Sequence, residues 1–261
     1  MQNEALAACG LDFVYVPFTV SPERLAEAIS GLRALGVAGF NVTIPHKVSV
    51  MAYLDSLDES ALAAGAVNTV LNDRGRLVGY NTDGDGLIRS LVEDLGFGPP
   101  MGTIVLVGAG GAARGAVAAL CRAGAGRIVI INRSLERARE LALSLGQRYG
   151  DTEIIPVGDN AELRAYLGET ELLVNTTSLG MNHEAIPFIS LADLPASAMV
   201  YDMVYAPPVT PLLREATALG LRCANGLGML AAQGELAFHL WTGREAPAGV
   251  MKGVLSGVCN P

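Results

Sequence analysis

The sequence predicts an α/β fold in two lobes, the second built on a doubly wound parallel sheet. Three observations predict it. Helix and strand signals alternate along all 261 residues, the order that lays helices over a largely parallel sheet. The strand-like run T-I-V-L-V (103–107) passes through a glycine-rich turn into a helical stretch. The pattern also changes after residue 83, from a hairpin to strands spaced by helices. At ~150 residues per domain, the length allows one to two domains, each with a sizeable core.

Taken in order, residues 3–9 read as a helix stopped by Gly10, and Phe13 to Phe18 as a strand. Ser21-Pro22 reads as an N-cap with proline at the first helical position, opening an amphipathic helix that ends near Gly36. A short strand at 38–42 leads into N-V-T-I-P-H-K, with a helix expected from near Pro45 and another over 58–64. A-V-N-T-V-L-N, the turn Asp73-Arg74-Gly75 and R-L-V-G-Y-N read as a hairpin. A helix at 86–95 and the loop G-F-G-P-P follow, and the lobes join near 83–100. Strands near 104–107, 127–131, 153–156, 172–175, 199–203 and 221–224 then alternate with helical segments. A last helix at about 228–242 carries Met229, Leu230, Leu236, Phe238 and Trp241, mostly on one stripe.

Composition removes several classes of function. Apolar residues make up 51% and charged residues 17%, an ordinary globular balance. A formal charge of −8 opposes broad binding to nucleic acid or anionic membranes, which needs a basic face. The best membrane-span candidate, Thr103 to Leu120, is interrupted by Arg114 and several glycines. The amino terminus shows no basic leader ahead of an apolar stretch, so no secretory signal is expected and a cytoplasmic location is. Cys9, Cys121, Cys223 and Cys259 are far apart and lack metal spacing, and are read as buried or idle thiols. His183 and His239 are read as structural or solvent-facing, and no metal site is expected. An anionic ligand must then be held by a few placed cations or backbone amides. Lys47 and Lys252 are the only lysines among eighteen basic residues. Lys252, in a glycine-flanked tail, reads as solvated.

V-L-V-G-A-G-G-A-A contains Gly108-x-Gly110-x-x-Ala113, a G-x-G-x-x-A dinucleotide fingerprint. Gly108 permits the tight turn, and Gly110 lets backbone approach a pyrophosphate at the start of the helix from Ala112. The alternative is a glycine turn that merely packs. The second strand ends in Asn132-Arg133-Ser134, with Arg137 one turn on, where an NAD site usually has an acid. A 2′-phosphate would meet two guanidiniums and the Ser134 hydroxyl there, which favours NADP over NAD. A plain Ser134 cap with two solvated arginines is the competing reading.

Lys47 lies beside Asn41 and Thr43, and Asp83 lies in G-Y-N-T-D-G-D-G at the hairpin exit. The latter only superficially resembles a calcium loop, because Val92 stands where its glutamate is needed. A lysine near a carboxylate beside a nicotinamide site suits carbonyl reduction, the ammonium protonating the forming alkoxide. Asn68 and Gln233 are neutral hydrogen-bonding residues suited to a polyol.

Together these segments closely resemble the shikimate dehydrogenase family. The match runs in order through N-V-T-I-P-H-K, G-A-V-N-T, G-x-N-T-D-x-x-G, G-A-G-G-A-A-R, N-R-S-x-x-R, N-T-T-S-L-G-M, Y-D-M-V-Y-x-P and G-L-G-M-L-A-A-Q. The resemblance implies NADPH-dependent, reversible reduction of 3-dehydroshikimate to shikimate in chorismate and aromatic amino acid biosynthesis. A quinate/shikimate dehydrogenase and a non-catalytic NADP-binding protein are the alternatives. It implies Lys47 and Asp83 as the catalytic pair, and Thr43, Asn68, Asp83, Tyr205 and Gln233 as substrate contacts. For NADP it implies Gly108, Ala109, Gly110, Gly111, Ala112, Asn132, Arg133, Ser134, Arg137, Met203, Gly226 and Glu59. The implied domains are a mixed-sheet α/β substrate domain (1–83 plus 227–261) and a Rossmann-type NADP domain (84–226), in a monomer or homodimer.

One departure stands out. Family members carry, ahead of an M-[HQ]-N motif matched by Met1-Gln2-Asn3, a strand and a loop of the form G-x-P-x-x-H-S-x-S-P. Its serines bind the substrate carboxylate. The expectation is truncation at an internal methionine, the alternative being a native protein without that anchor, with cofactor binding kept, substrate affinity weakened and strand edges left unpaired in the first lobe.

Overall fold

The computed structural model describes residues 1–259. Helix α1 (Gln2–Ala8) ends at Gly10, whose φ of +62° suits glycine. Helix α2 (Leu25–Ala34) follows a 3-10 turn, Pro22–Arg24. Ser21 caps neither with its side chain. Strands β1 (Gly39–Asn41), β2 (Ser56–Leu57), β3 (Thr69–Asp73) and β4 (Arg76–Tyr80) form a mixed sheet in the order β1-β3-β4-β2, with helix α3 (Glu59–Ala64) between β2 and β3. Arg74 (φ 54°) and Gly75 (φ 95°) make the two-residue turn whose positive φ values match the twist of a hairpin. Leu25, Ile29, Val50, Val67, Val70 and Leu77 close the core over this sheet.

Two expectations fail in this lobe. Phe13 to Phe18 forms no strand, and Phe13, Val14, Val16 and Phe18 are exposed. A strand needs a ladder partner, and this segment has only the side chain of Asn3. Its amide pairs with Tyr15 N (2.7 Å) and Tyr15 O (2.9 Å). The neighbouring edge strand β1 is paired on one side only. The helix expected from Pro45 is replaced by turns and a short 3-10 segment, Ser49–Tyr53. Val67 N takes the Lys47 carbonyl (2.7 Å), so that carbonyl is lost to a helical ladder, and β-branched Val48 and Val50 add little propensity.

Beyond residue 83 every strand pair is parallel. Strands β5 (Met101–Val107), β6 (Ala125–Ile131), β7 (Glu153–Val157), β8 (Thr170–Asn175), β9 (Met199–Asp202) and β10 (Arg222–Asn225) are ordered β10-β9-β8-β5-β6-β7. Helices α5 (Gly111–Arg122), α6 (Leu135–Gly146), α7 (Asn160–Leu167) and α8 (Pro211–Ala218) provide the crossovers. Apolar clusters cover both faces, so the strands read as nearly continuous Val/Ile/Leu. The order reverses between β5 and β8, opening the switch-point crevice at their carboxyl ends where ligands of such sheets bind.

Helix α4 (Asp83–Leu95) joins the two halves and begins three residues before expectation. The Asn81 side-chain oxygen accepts from Asp83 N (3.1 Å), and Gly86 N bonds Thr82 O (2.9 Å), so the helix starts at once. Gly86 lets α9 (Leu227–Thr242) approach closely, since a Cβ there would lie 2.9 Å from Gln233 N. Helix α9 then returns to the first sheet, where Trp241 Nε1 donates to Val70 O (3.0 Å). A further helix, α10 (Val250–Cys259), was not expected among Gly249, Gly253 and Gly257. Tertiary packing overrides propensity there: Met251 is fully buried against α9, and Lys252, expected to be solvated, pairs with Asp94 of α4. No described helix is long and apolar enough to cross a membrane.

Candidate active site

The first-lobe residues singled out by sequence converge where the hairpin exits into α4. Lys47 Nζ lies 2.7 Å from Asp83 Oδ2, both side chains about a quarter to a third exposed. Asp83 is the first residue of α4, where the helix dipole favours its negative charge. Its other oxygen, Oδ1, accepts from Asn68 Nδ2 (2.8 Å). Asn68 Nδ2 also faces Gln233 Oε1 of α9 at 3.5 Å, the outer limit of a hydrogen bond. Lys47 is held from behind, since its carbonyl bonds Val67 next to Asn68. Lysine, carboxylate and two amides thus share one corner with an open side.

Thr43 lies in the same turn as Lys47, exposed, its carbonyl accepting from His46 N (2.8 Å). Tyr205 is 39% exposed in the loop after β9, and no hydrogen bond draws it to the Lys47 group. Three residues escaped the sequence reading. Thr82 Oγ1 accepts from Asn68 Nδ2 (3.0 Å), Thr69 Oγ1 donates to Asn68 Oδ1 (3.0 Å), and Asn81 starts α4. Their signal was polarity where a hairpin should bury apolar groups: Asn68, Thr69, Asn81 and Thr82 are all buried. Of the carboxylates in the N-T-D-G-D run, Asp83 meets Lys47 and Asp85 meets Arg122 (2.7 Å), so both face cations.

At the switch point, Gly108 has φ +112°, and a Cβ there would sit 2.7 Å from Thr176 Oγ1 of the loop after β8. Gly110 is the N-cap of α5 and supplies no side-chain cap. A Cβ on Gly110 or Gly111 would meet nothing within 4 Å, so there is free space beside Ala109 at the first turn of α5, where the amides of Gly111 and Ala112 have no intrahelical acceptor. Small Ala113 is fully buried against the sheet. Ser134 caps α6 (3.4 Å to Arg137 N), and Asn132 Nδ2 donates to Ser134 O (2.9 Å). Arg133 and Arg137 are exposed and, among the described residues, pair with no carboxylate. Open amides and unspent guanidiniums at a helix start fit a dinucleotide with an extra phosphate. Met203 and Gly226 touch: any Cβ on Gly226 would run into Met203 O.

Asp202, another residue the sequence reading missed, fastens the loops that follow β8 and β9. It is fully buried and accepts from Asn175 Nδ2 (2.9 Å), Val204 N (3.0 Å) and Thr210 Oγ1 (2.6 Å). Burial pushes its carboxyl above the ordinary value, against those three bonds. Glu59, at the start of α3, is exposed and faces Arg148, just past the end of α6 (3.4 Å). Cys9, Cys121 and Cys223 are free thiols, and the side chain of Cys259 lies outside the described residues.

Comparison with known proteins gives the family and the fold. Residues 1–70 match the shikimate dehydrogenase substrate binding domain, 99–187 the shikimate/quinate 5-dehydrogenase family, and 226–255 the shikimate 5′-dehydrogenase C-terminal domain. A shikimate dehydrogenase (NADP(+)) of Geobacter metallireducens is 53% identical over 253 residues, 97% of this chain and 88% of that protein. A crystal structure of shikimate dehydrogenase in complex with NADP+ superposes with a TM-score of 0.89 at 37% identity, covering 99% of this chain and 90% of the other. Shikimate 5-dehydrogenase from Listeria monocytogenes, in complex with shikimate and NAD, gives 0.88 at 36% identity, covering 97% and 89%. With family models matching 1–70, 99–187 and 226–255 and a relative 53% identical over 97% of its length, this chain belongs to the shikimate dehydrogenase family.

Proposed function

We propose that the chain interconverts shikimate and 3-dehydroshikimate with NADP+ and NADPH, a step of chorismate and aromatic amino acid biosynthesis. The Lys47–Asp83 pair, 2.7 Å apart and joined to Asn68, is the observation that carries this reading. NADPH, when bound, supplies the hydride for the carbonyl carbon. The Lys47 ammonium gives a proton to the developing alkoxide oxygen, and in reverse the neutral amine takes it from the shikimate hydroxyl. Lysine suits this task and arginine does not, because a guanidinium does not readily exchange its proton. Asp83 holds Nζ in place and accepts from a substrate hydroxyl. Asn68, Gln233, Thr43 and Tyr205 bind the remaining oxygens across the cleft.

Gly108 to Ala112 take the pyrophosphate through backbone amides, and Asn132, Arg133, Ser134 and Arg137 take the 2′-phosphate. Met203 and Gly226 flank the nicotinamide, and Glu59 completes the proposed set. The substrate domain comprises 1–83 plus 227–261 and the cofactor domain 84–226. Unspent Arg133 and Arg137 favour NADP over NAD. The deciding assay is NADPH formation at 340 nm with shikimate, run beside quinate and beside NAD+. Turnover with shikimate and NADP+ is expected. Quinate with NAD+ as the better pair would move the chain to the quinate class, and no turnover with any pair would refute dehydrogenase function.

A further inference from the structure

The Asn68 amide serves the site only if its NH2 faces Asp83, because a reversed amide would set its oxygen against the carboxylate. The hydrogen bonds behind it decide the matter, beginning from an atom that can only accept. The Asn68 carbonyl oxygen receives Asn41 Nδ2 at 3.1 Å, so Asn41 turns its nitrogen inward and its oxygen outward. Tyr15 Oη donates to that outward Oδ1 at 3.0 Å. Burial pushes the Tyr15 phenol above its ordinary pKa, so the donor keeps its proton. Asn41 Nδ2 also donates to Thr69 Oγ1 (3.0 Å). Thr69, accepting there, passes its single proton on to Asn68 Oδ1 (3.0 Å). Thr82 N supplies that oxygen with a second donor (2.8 Å).

We propose that Tyr15, Asn41 and Thr69 form an orienting chain that fixes the Asn68 amide with its NH2 toward Asp83. None of the three touches Lys47 or Asp83 by a hydrogen bond among the described residues, so they are positioning residues, and their role in turnover rests on the reading given above. The chain has a firm far end. Tyr15 is clamped at N and O by the Asn3 side chain, and its ring stacks on Trp241 with centroids 6.0 Å apart. It also gives the 11–20 segment a task beyond packing, linking α1 and α9 to the reacting corner.

Thr69→Val keeps the shape and removes the proton, while Thr69→Ser keeps the proton. The test reads both variants in the full chain. In a 15N correlation spectrum, the Asn68 side-chain NH2 pair is identified as the one that Asn68→Asp removes. It is expected to be dispersed and slow to exchange in the parent and in Thr69→Ser, and to move toward free-amide positions and exchange faster in Thr69→Val. With shikimate and NADP+, Thr69→Val should lose kcat/KM by about 10–100-fold at unchanged NADP+ affinity, and Thr69→Ser should recover most of it. An Asn68 pair unmoved in Thr69→Val overturns the proposal whatever the activity does, as does Thr69→Ser behaving like Thr69→Val. A parent chain that turns over no substrate refutes the dehydrogenase reading alone, since the spectrum still decides the amide. If Thr69→Val does not fold, half-buried Tyr15→Phe takes its place under the same spectral criterion.

Discussion

The lysine corner and the nucleotide end of this molecule are built on opposite principles. Around Lys47 the donors and acceptors are spent on one another: Asp83 on Lys47 and Asn68, Asn68 on Thr69 and Thr82, Thr69 on Asn41. Around Gly110 they are left unspent, with an uncapped helix start and two arginines that, among the described residues, pair with no carboxylate. A proton-transfer group must be in place before the reaction, because a small displacement there costs a large factor in rate. A large polyanion brings its own acceptors and organises donors that are merely pointed the right way. Under the function proposed above, wiring marks where chemistry is done, and open donors mark where a ligand is held.

Three variants can break or sharpen that contrast. Lys47→Ala should do the most, lowering kcat for shikimate oxidation by ~10²–10⁴-fold while NADP+ affinity, read by fluorescence titration, stays put. Activity equal to the parent would remove the lysine from the proton step. Arg133→Ala with Arg137→Ala should have the intermediate effect and the reverse profile. NADP+ should weaken by roughly 10–100-fold, with NAD+ and shikimate little changed, as suits two exposed charge-assisted contacts. Equal weakening of both nucleotides would mean that no 2′-phosphate clamp exists.

The smallest effect concerns Asp202, a wired group beneath the nucleotide end. Its folded pKa is raised by burial, so its contribution to stability is fully present below the unfolded value of about 3.9 and is lost as pH rises through the folded pKa. Urea midpoints of the parent and Asp202→Asn, compared from pH 3.5 to 6, should show the parent's relative stability falling with pH. A rise would mean that the three hydrogen bonds outweigh burial.

What could be read from the linear sequence varied with how local the cause was. The parallel sheet, its glycine turn and the hairpin came out close to their structural bounds, because periodicity and turn chemistry act within a few residues. Phe13 to Phe18 was misread because strand character lies in a partner, and only the Asn3 side chain meets it. Helix α10 was missed because Met251 and Lys252 draw their reasons from α9 and α4, far away in sequence. Lys252 thus proved as engaged as Lys47, although only Lys47 stands in the lysine–aspartate corner. Asn68 was recognised, but Thr69 beside it was not, since a buried threonine in a strand is ordinary until its hydroxyl is seen between two amides.

By itself, then, the sequence determined the two-lobed α/β plan, the nucleotide fingerprint and the ordered motifs that carry the family resemblance. Each is written in short spacings that constrain backbone locally. Only the tertiary structure decided that Lys47 and Asp83, thirty-six residues apart, meet at 2.7 Å, and which way the Asn68 amide beside them turns. Contact and hydrogen-bond direction depend on where distant segments are brought, and α4 packed on α9 brings them.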